Sequence, residues 1–450
     1  MYNFHPNKPT FNTMPNTVII GAGPIGLFLA YKLYKAGIRD LVIYDPHANE
    51  YTRPGHLIND TVLIIGIKTQ TYIQIPRKKG NVSWHIKDVE RALYNVVSAL
   101  KIPIHKKAFV RFNNDPNKKG IVISGSDQIE EIVDCDYVFD CTGSSRRVVH
   151  AVNATLPAPV FSLQPLCSKI NAKRHLLAYV KISETDLATI NTHNSKRTEL
   201  LESSYFVGMM DKLHSLGWHE FEVPRCYGVA FGPNKACIYV ECPDDLRPEQ
   251  YEVWLKAAIS ARISNIKEIP VEQLPNSKKH EKKPRLTAFT TDPQELTTYF
   301  HSSEQLPTVI PVGDSQIDPH YFLADGIHDG MDRVGALLAH IICVEGKMAG
   351  LNVEPYSAEL KQLLQAHKER IKEHFQEREE FFTEGLKKAK IHYQKMCDQA
   401  PNYSTRLKLG VALKEIEARM TLNEATAELC ELASPKDTNS SVLLEGKLRM

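Results

Sequence analysis

The sequence predicts an α/β fold with a Rossmann-like domain, an inserted β-sheet domain and a C-terminal α-helical region. Three observations predict this arrangement. Short apolar runs alternate with helical patterns from residue 16 to about 345, as in α/β proteins. A glycine-rich turn directly follows the first of these runs. Residues 355–434, in contrast, are highly charged and almost entirely helix-periodic.

The composition is that of a globular protein with two to four domains, since the chain has 450 residues. Lys and Arg number 55 against 53 Asp and Glu, and this net charge of +2 argues against a nucleic-acid partner. No run approaches the roughly 18–20 apolar residues of a membrane span, and the first residues lack a secretory-signal layout. Nine cysteines without a CxxC pair indicate a reduced, cytoplasmic setting, without structural zinc or disulfides.

The first element is a strand, a turn and a helix, beginning with the β-branched run Thr17–Ile20. The turn has the pattern G-x-G-x-x-G, in which Gly21 allows a tight bend and Gly26 lets the helix pack closely. Gly23 has no side chain, so a pyrophosphate can approach the backbone and meet the N–H groups of the helix N-terminus. The predicted binding residues of this motif are Gly21, Gly23, Pro24, Ile25 and Gly26.

The second strand, LVIY, is followed by Asp45, 19 residues after Gly26. A carboxylate at this position can bind both ribose hydroxyls of an adenosine and disfavours a 2′-phosphate. The segment therefore predicts a site for FAD or NAD rather than NADP. A glycine turn without a ligand is the alternative.

A second motif lies far along the chain, where the strand Thr308–Val312 leads into Gly313 and Asp314, and a helix begins near Gly326. Asp314 can accept a hydrogen bond from a ribityl hydroxyl. The helix N-terminus can stabilise negative charge on a reduced flavin. An NAD-only dehydrogenase has no use for this element, so the two motifs together predict FAD.

Both motifs and their order resemble the FAD-dependent monooxygenases of the p-hydroxybenzoate hydroxylase class. The closest motif resemblance is to the flavin monooxygenase domain of the MICAL family. Its pattern G-D-S/A-L-L-E-P-F-W-P-x-G-T-G matches GDSQIDPHYFLADG, from Gly313 to Gly326, in register. The stretch YTRPGHL and the helix after Trp84 also resemble segments of that family. The resemblance spans roughly residues 15–345.

The resemblance implies further site residues. It implies that Arg53 lies near the flavin and that Lys87 or Arg91, on a helix from about residue 87 to 100, neutralises the FAD pyrophosphate. A histidine near the flavin ring could assist proton transfer, because it titrates near neutrality. The candidate catalytic residues in this register are His320, Tyr321 and His328. Packing or a surface position is the alternative for each.

The middle motif, DYVFDCTGSSRRVV, departs from the hydroxylase pattern. Hydroxylases of this class usually carry Asp-Gly where this chain has Thr142 and Gly143, and that Asp is tied to binding of FAD and NADPH. Gly143 still allows the backbone to approach the cofactor. Thr-Gly is more typical of flavin halogenases and geranylgeranyl-type reductases, so the electron donor, NADPH or NADH, stays open.

The predicted domain order follows these motifs. Strand-like runs HLLAYVKI, CYGVAFG and ACIYVEC predict a sheet that covers the flavin. A long helix from Leu360 precedes a turn at residues 401–402, and two further helices run through RLKLGVALKEIEARM and NEATAELCELA. The predicted segments are a leader (1–15), the FAD-binding domain (16–154 and 306–350), the substrate domain (155–305), the helical domain (351–434) and a flexible tail (435–450).

These observations predict an FAD-dependent oxidoreductase, and most simply a monooxygenase. NADPH or NADH would reduce FAD, and a flavin C4a-hydroperoxide would oxygenate a small molecule or a protein side chain such as methionine. One alternative is another flavin oxidoreductase, namely a reductase, a halogenase-like enzyme or an oxidase. The other is a flavin-binding scaffold that recruits a protein partner through its helical C-terminus.

Overall fold

The computed structural model describes residues 16–52, 55–58, 62–63, 65–66, 68, 83–115, 118–166, 174–192, 201–263, 269–272, 285–290, 293–320, 323 and 326–433. Arg53 and Tyr321 lie outside the described residues. The chain divides into two compact units. The first comprises the described residues of Met1–Asn191 and Arg225–Phe375, and the second those of Thr192–Pro224 and Gln376–Met450.

The described strands are short and most have four to eight residues. They are β1 (Thr17–Ile20), β2 (Leu41–Tyr44), β3 (His56–Ile58), β4 (Ser83–His85), β5 (Ile104–His105), β6 (Ala108–Phe112), β7 (Gly120–Ser124), β8 (Glu130–Asp134), β9 (Tyr137–Asp140), β10 (Leu163–Pro165), β11 (Arg174–Lys181), β12 (Cys226–Gly232), β13 (Lys235–Cys242), β14 (Leu286–Thr290), β15 (Gln294–Leu296), β16 (Thr308–Pro311), β17 (Ile341–Val344) and β18 (Lys347–Leu351).

The described α-helices range from one that is two turns long to one of 46 residues. They are α1 (Pro24–Lys35), α2 (Ile86–Ala99), α3 (Arg147–Thr155), α4 (Glu184–Asn191), α5 (Ser203–His214), α6 (Tyr251–Arg262), α7 (Gly326–His340), α8 (Val353–Asp398) and α9 (Tyr403–Ala433). Every helix in the described part of the chain is too short or too polar to traverse a lipid bilayer.

A parallel sheet forms the centre of the first unit, with strand order β16-β9-β1-β2-β5. Val18, Phe139 and Ile310 from three adjacent strands are fully buried, which explains why these strands are continuous apolar runs. Helix α1 packs against α2 and α7 through its own apolar residues. The α/β class predicted from the sequence is confirmed.

An antiparallel sheet with order β12-β13-β11-β14 also belongs to the first unit. Its strands coincide closely with the three predicted strand-like runs. Helix α6 packs on this sheet, and the Trp254 indole on α6 is fully buried, donating to the Glu241 carbonyl at 2.9 Å. The smaller described sheets are β6-β7-β8 and the pairs β3–β4, β10–β15 and β17–β18.

The long helix α8 contributes to the core of the first unit before it continues into the second. Tyr356, Leu360 and Leu364 on its first turns are at most 1% exposed. Within the second unit, Trp218 packs near Phe382 with ring centroids 6.3 Å apart. Trp218 and Trp254 are therefore both core residues.

The C-terminal sequence pattern predicts a break near residues 421–423, and this prediction is wrong. Helix α9 runs without interruption from Tyr403 to Ala433. Thr421 lies between the two predicted helices, and its hydroxyl donates to the Glu417 carbonyl one turn earlier at 3.1 Å. A threonine that bonds back within its helix does not end that helix. The predicted turn at residues 401–402 is confirmed.

Candidate functional site

A cavity of 470 Å³ lies at the carboxyl edge of the parallel sheet. This size is within the range of small-molecule and cofactor sites. The end of an open α/β sheet is where such folds bind ligands. The cavity is lined by residues that follow four of the strands: Gly21, Gly23, Pro24 and Ile25 after β1, Asp45 after β2, Thr142 and Gly143 after β9, and Asp314 after β16.

The glycine turn has no room for side chains at two of its three positions. Gly21 has a φ of +108°, and a Cβ there would lie 2.3 Å from the Cys141 carbonyl oxygen. A Cβ on Gly26 would lie 2.0 Å from the Gly21 carbonyl oxygen. A Cβ on Gly23 would meet no atom within 4 Å. Gly23 therefore lies beside open space, in the position where a ligand can approach the backbone.

Asp45 is held against this turn. Its carboxylate accepts hydrogen bonds from the backbone N–H groups of Ala22 and His47, each at 2.7 Å. The Tyr51 hydroxyl donates to the Ala22 carbonyl at 3.1 Å, and burial raises the pKa of Tyr51 well above its ordinary value. Since each carboxylate oxygen has two lone pairs, Asp45 keeps acceptor capacity for ribose hydroxyls.

The turn after β9 is built around the fully buried carboxylate of Asp140. It accepts from the Thr142 N–H at 2.9 Å and the Thr142 hydroxyl at 2.7 Å. It also accepts from the N–H groups of Val148 and Val149, at 3.1 and 3.0 Å, and so caps helix α3. Gly143 adopts a φ of +70° in this turn. Asp140 is therefore a structural acid that shapes the cavity wall.

The second motif closes the cavity from β16. Gly313 adopts a φ of +70°, and a Cβ on it would lie 3.0 Å from the Ile25 side chain. A Cβ on Gly326, the first residue of α7, would lie 2.6 Å from the Pro319 ring. Both glycines therefore allow close packing, and Gly313 brings Asp314 to the glycine turn of the first motif.

The basic residues predicted to reach a pyrophosphate both lie on one helix. Lys87 and Arg91 are on α2 as predicted, but neither is among the residues that line the cavity. Arg91 is half-exposed and pairs with Asp88 at 3.1 Å. The lining instead includes the buried Glu90 and, at the start of α3, Arg147. The sequence analysis did not identify Arg147 as a lining residue. Its position five residues after Thr142 was the feature that could have indicated it.

The two described candidate catalytic histidines are also outside the cavity lining. His320 is 4% exposed and packs against His374 and Phe375 of α8, with ring centroids 4.6 and 5.0 Å away. This packing on α8 joins residues that are far apart in the sequence, so the motif alone could not predict it. His328 lies half-buried on α7, 3.5 Å from Asp332.

His328, Asp329 and Asp332 lie close enough together to suggest a metal site. Cations of the protein already pair with both carboxylates, because Lys68 contacts Asp332 and Arg370 contacts Asp329. Burial would raise the pKa of Asp329, but its bonds to His367 and Arg370 hold it below its ordinary value. We interpret the group as an ion-pair network.

Comparison with known proteins reveals similarity in structure only. No protein-family model matches the chain, and no curated protein matches it in sequence. The match to the flavin-dependent brominase Bmp2 covers 90% of this chain and 100% of that chain, with 11% sequence identity and a TM-score of 0.52. The match to a flavoprotein/dehydrogenase from Cytophaga hutchinsonii covers 90% of this chain and 98% of that chain, with 10% sequence identity and a TM-score of 0.50.

The chain therefore shares its fold with these two proteins. The anhydrotetracycline hydroxylase OxyS from Streptomyces rimosus is a further structural neighbour, at 13% identity over 88% of this chain and 75% of that one, with a TM-score of 0.49. At these identities the likeness concerns the fold. The chemistry has to be argued from the cavity.

The cavity residues fit a dinucleotide. Open space beside Gly23 leaves the N-terminus of α1 accessible to a pyrophosphate. Asp45 can accept from a ribose, and Arg147 supplies positive charge to the same cavity. Asp314 provides an acceptor at the opposite end of the sheet edge, separated from Asp45 by two intervening strands.

Proposed function

We propose that this chain is an FAD-dependent oxidoreductase. One observation carries the proposal: Gly23, Asp45, Thr142 and Asp314, from four separate parts of the chain, line a single cavity. The first two suit the adenosine diphosphate half of a dinucleotide, and Asp314 suits a ribityl chain beyond it. Asp45 also disfavours the 2′-phosphate of NADP at this position.

Within that class we propose a monooxygenase that uses NADH or NADPH and O₂. Bound FAD would accept hydride from the nicotinamide and activate oxygen. The chain's own residues would bind the cofactor, through the α1 N-terminus and Arg147, and hold it at the sheet edge. The antiparallel sheet β12-β13-β11-β14 would orient a small molecule or a protein side chain, such as the methionine that the MICAL resemblance suggests.

The visible absorption spectrum of the purified protein tests the cofactor. We expect a flavin spectrum, or its appearance together with a higher Tm after incubation with FAD. Anaerobic titration with NADH and with NADPH should then bleach the flavin band and identify the donor. A protein that neither carries FAD nor is stabilised by it would contradict the proposal.

A second candidate within the flavin enzymes is a reductase, a halogenase-like enzyme or an oxidase. Thr142 favours it, because this residue replaces the Asp that hydroxylases of the class usually carry, and its hydroxyl is already engaged by Asp140. Hydrogen peroxide and oxygenated product measured in the same reaction separate the two. Stoichiometric hydrogen peroxide without an oxygenated product would favour an oxidase.

A further inference from the structure

A group of aromatic rings lies where the β3–β4 pair meets the antiparallel sheet, and the sequence analysis did not identify it. His56 and His85 are paired in register across β3 and β4, with ring centroids 4.1 Å apart. Phe231 stacks on His56 at 4.8 Å with an interplanar angle of 21°, and Tyr179 lies 5.5 Å from His56. We call these four residues the histidine cluster.

Backbone contacts hold the cluster in place. The Gly55 N–H donates to the Tyr179 hydroxyl at 3.0 Å, and the His56 N–H donates to the Tyr239 hydroxyl at 3.4 Å. Gly55 has a φ of +111°, and a Cβ there would lie 3.2 Å from the Tyr239 hydroxyl oxygen. The position of His56 is therefore set by the sheet, and its ring has little freedom to move.

The imidazole of His56 is buried. The residue is 8% exposed, and neither ring nitrogen has a hydrogen-bond partner among the described residues. Burial, with the positive charges of His85, Arg285 and Lys87, lowers the pKa of His56 to about 2. A neutral imidazole carries one donor and one acceptor. Leaving such groups unpaired in a buried site carries a desolvation penalty, so a ligand that pairs with them gains binding free energy.

The histidine cluster is close to the dinucleotide cavity along both chain segments that connect them. Thr52 lines the cavity and precedes His56 by four residues, a span of at most about 14 Å. Glu90 lines the cavity and follows His85 by five residues on α2, a helical rise of about 7.5 Å. His56 therefore lies within about 14 Å of a residue of the cavity wall, a distance that an extended ligand can span.

The charges around the cluster select the kind of ring that binds there. The groups whose charges act most strongly on His56 are His85, Arg285 and Lys87, all of them basic. The Arg285 guanidinium lies over the Tyr179 ring, 3.7 Å from its centroid. This positive surrounding favours a planar ring that gains negative charge during the reaction, as the flavin ring does on reduction.

We infer that the histidine cluster receives the redox-active ring of FAD, and that His56 forms a hydrogen bond with the polar edge of that ring. The inference rests on the proposed function. It makes His56 a positioning residue that favours reduced over oxidised FAD. It also transfers to His56 the place beside the flavin ring that the sequence register assigned to His320 and His328.

The test compares His56→Phe with wild-type protein reconstituted with FAD. Phenylalanine keeps a ring in the stack but removes both nitrogens. We expect the long-wavelength absorption band of bound FAD to shift, and the ratio of the affinities for reduced and oxidised FAD to fall about tenfold, which is about 30 mV for a two-electron couple. His56→Gln, which keeps a donor and an acceptor, should restore part of the difference.

His301→Phe is the matched control. The Nε2 of His301 is also buried without a partner in the described part of the chain, but its ring contacts Phe161, 6.4 Å away, outside the cluster. This variant should keep the wild-type band and affinity ratio. Unchanged values in His56→Phe at full FAD occupancy would overturn the inference while leaving the proposed function intact.

A measurement on the wild-type protein covers the case in which the His56 variants do not fold. The ¹⁵N resonances of the His56 ring should move when FAD is added, because a hydrogen bond changes the shielding of a ring nitrogen. The ring resonances of His301 should stay in place. Binding of FAD without any movement of the His56 resonances would overturn the inference, whereas failure of the wild-type protein to bind FAD would instead count against the proposed function.

Discussion

The backbone N–H of Ala22 donates to the carboxylate of Asp45 at 2.7 Å, so the glycine turn and the acid at the end of β2 form one unit. Two signals that are separate in the sequence thereby act on each other. The acid fixes the loop that would face the pyrophosphate, and the loop orients the acid that would face the ribose. A change in either is expected to affect both.

Gly23→Ala and Gly26→Ala should separate binding from folding. A Cβ at position 26 would clash with the Gly21 carbonyl, so Gly26→Ala should cost about 1–3 kcal/mol of unfolding free energy. A Cβ at position 23 meets nothing within 4 Å, so Gly23→Ala should keep the wild-type Tm but weaken FAD binding at least tenfold. Urea unfolding and FAD titration measure the two effects. Wild-type affinity in Gly23→Ala would contradict pyrophosphate binding at this turn.

Asp140→Ala should destabilise the first unit by about 2–4 kcal/mol. The substitution removes the carboxylate that accepts hydrogen bonds from the N–H groups of Thr142, Val148 and Val149. Urea unfolding at neutral pH measures the loss. Asp127→Ala, in an exposed turn, is the control and should change the unfolding free energy by less than about 0.5 kcal/mol. Equal effects of the two substitutions would rule out the capping role.

Arg146→Ala should cost about 3–5 kcal/mol, because it removes a buried guanidinium and leaves a largely buried carboxylate without its ion pair. Arg146 is 3% exposed and lies 2.9 Å from Asp318, and its guanidinium also donates to the Ser315 carbonyl at 3.2 Å. Adding Asp318→Asn to Arg146→Ala should recover part of this loss, since it removes the unpaired charge. A double variant less stable than Arg146→Ala would show that the ion pair is not the cause.

The stability of the protein should fall in acid partly through His56. The folded pKa of this group is about 2, below the ordinary 6.5, so only the unfolded chain takes up its proton between these values. The contribution of His56 to the free energy of unfolding is complete above pH 6.5. It is lost as the pH falls, by about 1.4 kcal/mol per pH unit. Between pH 6 and pH 4.5, roughly that slope should be missing in His56→Phe. Identical pH slopes in variant and wild type would contradict the assignment.

Truncation at residue 351 should unfold the first unit rather than isolate it. Helix α8 contributes Tyr356, Leu360 and Leu364 to that core, each at most 1% exposed. Leu364→Ala in the full chain should cost about 2–5 kcal/mol in urea unfolding. A soluble fragment 1–351 that binds FAD would contradict this. Removal of the helical region is therefore unsuitable for testing a partner-binding scaffold.

Substitutions on the exposed face of α9 are a better test of partner binding. Leu407 and Val411 are 57% and 62% exposed, one turn apart. Leu407→Gln with Val411→Gln should leave the Tm and FAD binding unchanged, because exposed side chains contribute little to folding. Loss of a co-purifying protein from this variant would support a partner on α9. A lower Tm would show that the face is part of the protein's own packing.

The sequence by itself determined the strands of the parallel sheet, the glycine turn, Asp45 and the Gly313–Asp314 turn. These features depend on local patterns: continuous apolar runs, glycines where a Cβ has no room, and an acid at a strand end. The antiparallel strands could also be predicted, because β-branched and aromatic runs bounded by turn residues indicate strands without knowledge of their partners.

Only the tertiary structure decided which side chains share a site. Glu90 and Arg147 line the cavity while Lys87, Arg91 and His320 do not, because a side chain's direction depends on how its helix packs. The pairing of His56 with His85 depends on the register of two strands separated by more than twenty residues of sequence. Such long-range contacts leave no local period in the sequence, and the histidine cluster could therefore be identified only in the folded chain.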